Sequence, residues 1–296
     1  MYKKSSLTLF KLSGITIGEF KSEEDETYGV SRSITNLENK AFHDGWQTSE
    51  ELIDALLHAL HDNKGNYAGY KVAQALIRCN HISNDVIECL EPWNKLVFTW
   101  KRNGFTSESI ARKLLELGIP LNNESLSKID DWLINPASSV DKHYDLLRSL
   151  FGARLYLGDL RDKHCYFTDD DYAIFFSNLA SICHPSVPVE EVKQHRNDDL
   201  WAIEYTLNGR KSTFHIESMG TWFNIEGMLL NFNRIMREEN SNLRAFGFDS
   251  SMLDGGQYGY FIVADKNAFP RIAEQLHLPV YTHDTDMANH SSPNDA

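Results

Sequence analysis

Trp201-Ala202-Ile203-Glu204-Tyr205-Thr206-Leu207, followed at once by Asn208-Gly209, is the stretch that decides the fold. Its apolar residues alternate with polar or small ones, the pattern of a strand with one face buried and one in water. Asn-Gly supplies the two positive-φ residues of a tight type I′ hairpin. Pairing outward from that turn sets Leu207 against Arg210, Ile203 against Phe214 and Trp201 against Ile216. The other side then carries Ala202, Glu204, Thr206, Lys211, Thr213 and His215.

Further along, Asn224 to Glu238 places Ile225, Met228, Leu229, Phe232, Ile235 and Met236 on one helical face. Leu243–Phe248 and Tyr258–Val263 are strand-like, with Gly255-Gly256 between them. Asp265 caps a last helix through Phe269, Ile272 and Leu276 that closes at Pro279. The module reads ββαββα, a small antiparallel sheet with two helices.

Upstream, Leu7–Leu12 and Ile15–Gly18 look like two short β runs, followed by a solvated acidic loop at Glu23-Glu24-Asp25-Glu26. From residue 34 to 183 the period becomes helical. Thr48 and Glu51 have the spacing of a capping box ahead of Leu52, Ile53, Leu56, Leu57 and Leu60. Helices are expected near 67–79, 84–91 with a continuation toward Trp100, 106–117, 123–133 and 140–151, and from Thr168-Asp169-Asp170-Asp171 to Cys183. Gly118 and Pro120 end one of them, Asn123 caps the next and Pro136 stops it. Pro185–Pro188 and Glu190–Lys193 read as a linker.

The fold class is thus α+β. Residues 1–33 are expected as short strands and an acidic loop, 34–184 as a helical bundle or irregular HEAT-like array, 185–281 as the α/β domain and 282–296 as a disordered tail.

Composition narrows the function. At 296 residues, 42% hydrophobic and 24% charged, the chain has enough apolar material for a core, which excludes general disorder. Forty-two acidic residues against 29 basic give a net charge of −13, with 16 acidic and 9 basic in 186–296, so the acidity is shared along the chain. Such a surface repels nucleic-acid phosphates and favours basic partners, though acidity also serves solubility. No apolar run has the length of a membrane span, and the first ten residues lack the apolar core of a secretory signal. Four sparse cysteines fit a reducing cytoplasm.

Walker A, dinucleotide-binding, nucleophile-elbow and zincin motifs are all missing. Gly255-Gly256-Gln257-Tyr258-Gly259 leads into a strand, so it reads as a turn; a phosphate cradle has a helix behind it. His164-Cys165 and Cys183-His184 lack zinc-site spacing, and Asp159, Asp162 and Asp169–Asp171 lack that of a calcium loop. Neither metal nor cofactor is expected. His215, with Glu204 and Glu217 on the non-core face, has the residue types of an acid–base cluster, and equally those of an ordinary polar sheet surface. Trp46 and Tyr67 lie outside the apolar stripes, where aromatic anchors for a partner are found.

Phe214-His215-Ile216-Glu217, Gly220 through Gly227, Leu230-Asn231-Phe232-Asn233, Asp254 through Tyr258 and Leu276-His277-Leu278-Pro279 together resemble a small α/β module. That module is joined to helical domains in uncharacterised bacterial proteins, some of which resemble immunity proteins of toxin systems. The resemblance covers the last third of the chain and implies no catalytic residues. A protein of that kind would bind and inhibit a toxin in the cytosol; the acidic surface suits a basic toxin domain, and the contacts expected from acidic and aromatic positions on exposed loops are Glu204, Glu217, Asp249, Asp254, Gln257 and Tyr258. An enzyme built around His215 and a helical scaffold or adaptor are the alternatives.

Overall fold

A computed structural model of the chain describes residues 4–15, 23–44, 49–140, 142–159, 170–183, 187–197, 199–219, 223–248 and 258–281. The fold is α+β: helices dominate the N-terminal part and antiparallel strands the C-terminal part. Two compact units are formed, one by Met1–Gly104 with Asp131–His143, the other by Phe105–Asp130 with Tyr144–Ala296. The helices between 105 and 130 and between 144 and 183 therefore group with the strands, although the sequence places them in a helical domain 34–184.

The first unit holds α1 (Lys4–Ser13), α2 (Glu23–Asp44), α3 (Glu50–Asp62), α4 (Tyr67–Arg78), α5 (Asn84–Glu88) and α6 (Pro92–Arg102). The β runs expected near the start are corrected for the first of them, since Leu7–Leu12 lies within a helix; 16–18 fall outside the described residues. Ser6, Leu9 and Phe10 are buried at helical spacing, and α1 packs on α2 and α3. The acidic run expected as a loop lies instead at the start of α2. Leu9, Phe10, Val30, Ile34, Leu56, Val72 and Leu76 share one core. The cap of α3 is Ser49, one residue beyond the expected Thr48, and its hydroxyl accepts from Leu52 N at 3.1 Å. Gly69 is forced by packing: a Cβ there would lie 2.1 Å from the Asn63 carbonyl oxygen.

The second unit contains α7 (Ser107–Leu115), α9 (His143–Phe151, from Tyr144 on), β1 (Leu155–Asp159), α10 (Asp171–Cys183), β2 (Val189–Asn197), β3 (Leu200–Leu207), β4 (Arg210–Glu217), α11 (Ile225–Glu238), β5 (Leu243–Phe248), β6 (Tyr258–Asp265), α12 (Ala268–Gln275) and β7 (Val280–Tyr281). Helix α8 (Asn123–Ile134), with 123–130 assigned to the second unit and 131–134 to the first, is capped by Asn122 instead of Asn123: its Oδ1 accepts from Ser125 N at 2.8 Å. The expected ββαββα order is present from β3 to α12, but its strands belong to two sheets. One is β2-β3-β4, the other β1-β6-β5-β7, all antiparallel. Of the segment read as a linker, Glu190–Lys193 lies in β2, while 185 and 186 fall outside the described residues. A bulge between Glu190 and Lys193, with Glu191 at φ +49, breaks the alternation that would have revealed it.

α10 and α11 lie between the two sheets. Phe175 of α10 meets Tyr156 at 5.2 Å and Phe261 at 5.1 Å between ring centres, while Phe176 meets Tyr205 at 5.2 Å and Phe214 at 5.1 Å. Burial on both sides explains why α10 is apolar nearly all round. Its first turn is capped from a distance: Gln194 Oε1, on β2, accepts from Tyr172 N at 2.8 Å and Ala173 N at 3.1 Å. The opposite face of the four-stranded sheet is covered by α9 and α12, through Phe151 against Phe248 and Phe269 against Phe246.

Candidate protein-binding face

The β3–β4 hairpin has the register that the sequence dictates, with Leu207 opposite Arg210, Ile203 opposite Phe214 and Trp201 opposite Ile216. Asn208 and Gly209 take φ of +52° and +73°, as the tight turn requires. Trp201, Ile203, Tyr205, Leu207, Phe214 and Ile216 are buried toward α10 and α11. Glu204, Lys211, Thr213, His215 and Glu217 are exposed on the other face, and Lys193 and His195 of β2 join them by register.

The backbone beneath this face is held at one edge. Along β4, Asn224 Nδ2 donates to Glu217 O at 3.0 Å and Asn231 Nδ2 to His215 O at 3.2 Å. At the hairpin end, Asn208 Nδ2 and an Arg210 guanidinium nitrogen reach the Glu239 carboxylate at 2.8 and 2.6 Å. Helix α11 thus closes the β4 edge against strand addition. At the β2 edge, Thr206 Oγ1 donates to Glu191 Oε2 at 3.2 Å, tying the bulge to its neighbour.

The sequence-derived site residues are dispersed. Glu204 sits opposite Thr213 and Glu217 opposite Leu200, four strand residues apart, or about 13 Å. Tyr258 opens β6 in the other sheet, paired with Asp159. Asp249, Asp254 and Gln257 lie outside the described residues, as do Trp46, His164, Cys165 and His184. Tyr67 is 41% exposed at the start of α4, with Lys71 Nζ 5.8 Å from its ring centre.

On this face the histidine that meets a carboxylate is His195, whose Nε2 is 3.7 Å from Glu204 Oε2. Among the described residues His215 forms no ion pair; it flanks Ala202 on the side opposite His195. The sequence offered no route to His195 while β2 read as a linker. Around Glu191, Lys193, Glu204, Thr206, Lys211 and Thr213 the face forms an open depression of about 270 Å³. Such a surface offers charges and hydrogen bonds to a docking partner, with no enclosure to exclude water from a reacting group.

Two of the thiols are held protonated by burial. Burial pushes Cys183 up to about 12 and Cys79 up to about 11, the latter against the lowering effect of Arg78. Among the described residues no group of three or more His, Cys, Asp or Glu side chains could hold a metal, and no helix is long and apolar enough to cross a membrane. No family model, curated protein or solved structure matches the chain.

Proposed function

We propose that the chain is a cytosolic protein-binding inhibitor of the immunity type, which masks a basic toxin domain through the outer face of the β2-β3-β4 sheet. The observation that carries this reading is the one-sided burial of that sheet. Helices cover its inner side, while a rigid, strand-based face with Glu204, Glu217, His195 and His215 is left to solvent. A net charge of −13 favours a basic partner at long range and speeds its encounter. The resemblance of the C-terminal third to modules of immunity-like proteins points the same way.

The test compares the wild-type chain with a Glu204→Lys/Glu217→Lys variant in affinity capture from the source organism's lysate, followed by a high-salt wash. One basic protein should co-elute in near-equal amount with the wild type and be lost with the variant. Equal capture by both chains would remove the face from the reading, and an empty wild-type bait would remove the inhibitor itself. Acid–base catalysis is the second reading, favoured only by the His195–Glu204 pair. It predicts a turnover that His195→Ala abolishes.

A further inference from the structure

A cleft of about 750 Å³ opens in the second unit between the α7–α8 loop and the segment from Asp145 to Arg154. It shares no residue with the sheet face. One wall is shaped by the end of α7, where Ile119 N donates to Leu114 O at 3.1 Å and Gly118 takes φ +67°. The other wall is α9 and the turn after it. Arg154 joins them, its guanidinium donating to Leu117 O and Gly118 O at 3.3 Å each. These contacts set the cleft's width in the free protein.

Its charge runs against that of the chain. Lys128, Arg148 and Arg154 line it with Glu124 and Asp145, an excess of one positive charge in a protein of −13. Lys128 Nζ lies 2.9 Å from Glu124 Oε1. The Glu124 carboxyl is held below the usual carboxylate range by Lys128, through a hydrogen bond and its charge, and further by Arg148. Lys128 of α8 and Arg148 of α9 thus line one cleft from different helices, with Glu124 occupying the Lys128 ammonium. Ser125 and Ser149 add hydroxyls to the lining, and Ile119, Pro120 and Leu121 an apolar wall.

We propose that this cleft binds a small phosphorylated molecule, whose phosphate is taken by Lys128 and Arg148 in competition with the Glu124 carboxylate. A guanidinium fork and a point-charge ammonium are the usual donors to phosphate. The volume falls within the range of about 300–1,000 Å³ that holds a whole small ligand. With only three cations, the site suits a compact phosphate ester and not a nucleic-acid strand.

Isothermal titration with inorganic pyrophosphate, and separately with citrate, tests this on the full chain. Wild-type protein should bind pyrophosphate at one saturable site. Lys128→Ala/Arg148→Ala should weaken binding by about tenfold or more, the loss expected when charge-assisted hydrogen bonds are removed. Glu124→Gln should strengthen it by removing the competitor. Both cations are exposed, so an unchanged melting temperature will confirm that the double variant is folded. Absence of saturable heat at millimolar pyrophosphate, or equal affinity in the double variant, overturns the site. Citrate binding as tightly as pyrophosphate overturns its assignment to phosphate.

Discussion

In the three-stranded sheet, β3 and β4 bury Trp201, Ile203, Tyr205, Leu207, Phe214 and Ile216 and present Glu204, Thr213, His215 and Glu217 to water. In the four-stranded sheet, Arg244 through Phe248 and Gly259 through Ala264 are buried without interruption. Helices on one side produce the first pattern, helices on both sides the second. The comparison separates the scaffold from the surface free to vary. Substitutions within the four-stranded sheet or α10 cost packing, whereas those on the outer face of β3 and β4 change what the protein can bind.

The harshest way to break this division is Phe176→Ala, because that ring touches Tyr205, Phe214 and Phe232. It should cost about 3–5 kcal/mol, read as a lower urea midpoint at unchanged slope. A smaller loss would mean that α10 does not anchor the three-stranded sheet.

Gly158→Ala probes the other side of the same helix, since its Cβ would lie 2.8 Å from Phe175 Cε2 and 3.0 Å from Phe261 Cε2. Overpacking there should cost about 1–3 kcal/mol. Asn233→Ala belongs in the same range of about 1–3 kcal/mol. Its amide donates to Ala245 O at 3.1 Å and accepts from Ala245 N at 2.8 Å, completing the β5 edge beyond the two residues paired by β7.

Alkaline pH tests burial without a mutation. Cys183 is pushed from 9.0 up to about 12 in the fold by burial. Its contribution is intact below pH 9; above that the unfolded chain loses a proton that the folded chain keeps, so stability falls as pH rises. The slope from this group alone is about 1.4 kcal/mol per pH unit between roughly 9 and 12. Urea midpoints measured from pH 8 to 11 should decline less in Cys183→Ala.

The smallest effect on stability is expected from Glu204→Gln/Glu217→Gln, within about 0.5 kcal/mol. If that pair proved as damaging as Asn233→Ala, the outer face would be structural and the contrast between the sheets would fail.

Sequence legibility followed the same division. Where one face meets water, as in β3 and β4, period-two alternation plus Asn208-Gly209 specified register and which side chains point outward, so Glu204, His215 and Glu217 were placed on the open face correctly. β2 was illegible because its bulge shifts the phase of alternation at Glu191, and His195 was lost with it. The run Leu7–Leu12 carries both a period-two pattern and the spacing of Leu9, Phe10 and Ser6 on a helix. Packing against α2 and α3 decided for the helix.

By itself, the sequence determined the α+β class, the hairpin and its register, the helix from Ile225 to Glu238 and the acidic balance, because each rests on local periodicity, turn chemistry or counting. Tertiary structure alone decided that the strands divide into two sheets, that α10 runs between them and that Gln194 caps it from β2. It also decided that Lys128, Arg148 and Glu124 line one cleft. Those outcomes depend on which surfaces find each other across long stretches of chain, and local residue patterns carry no record of that choice.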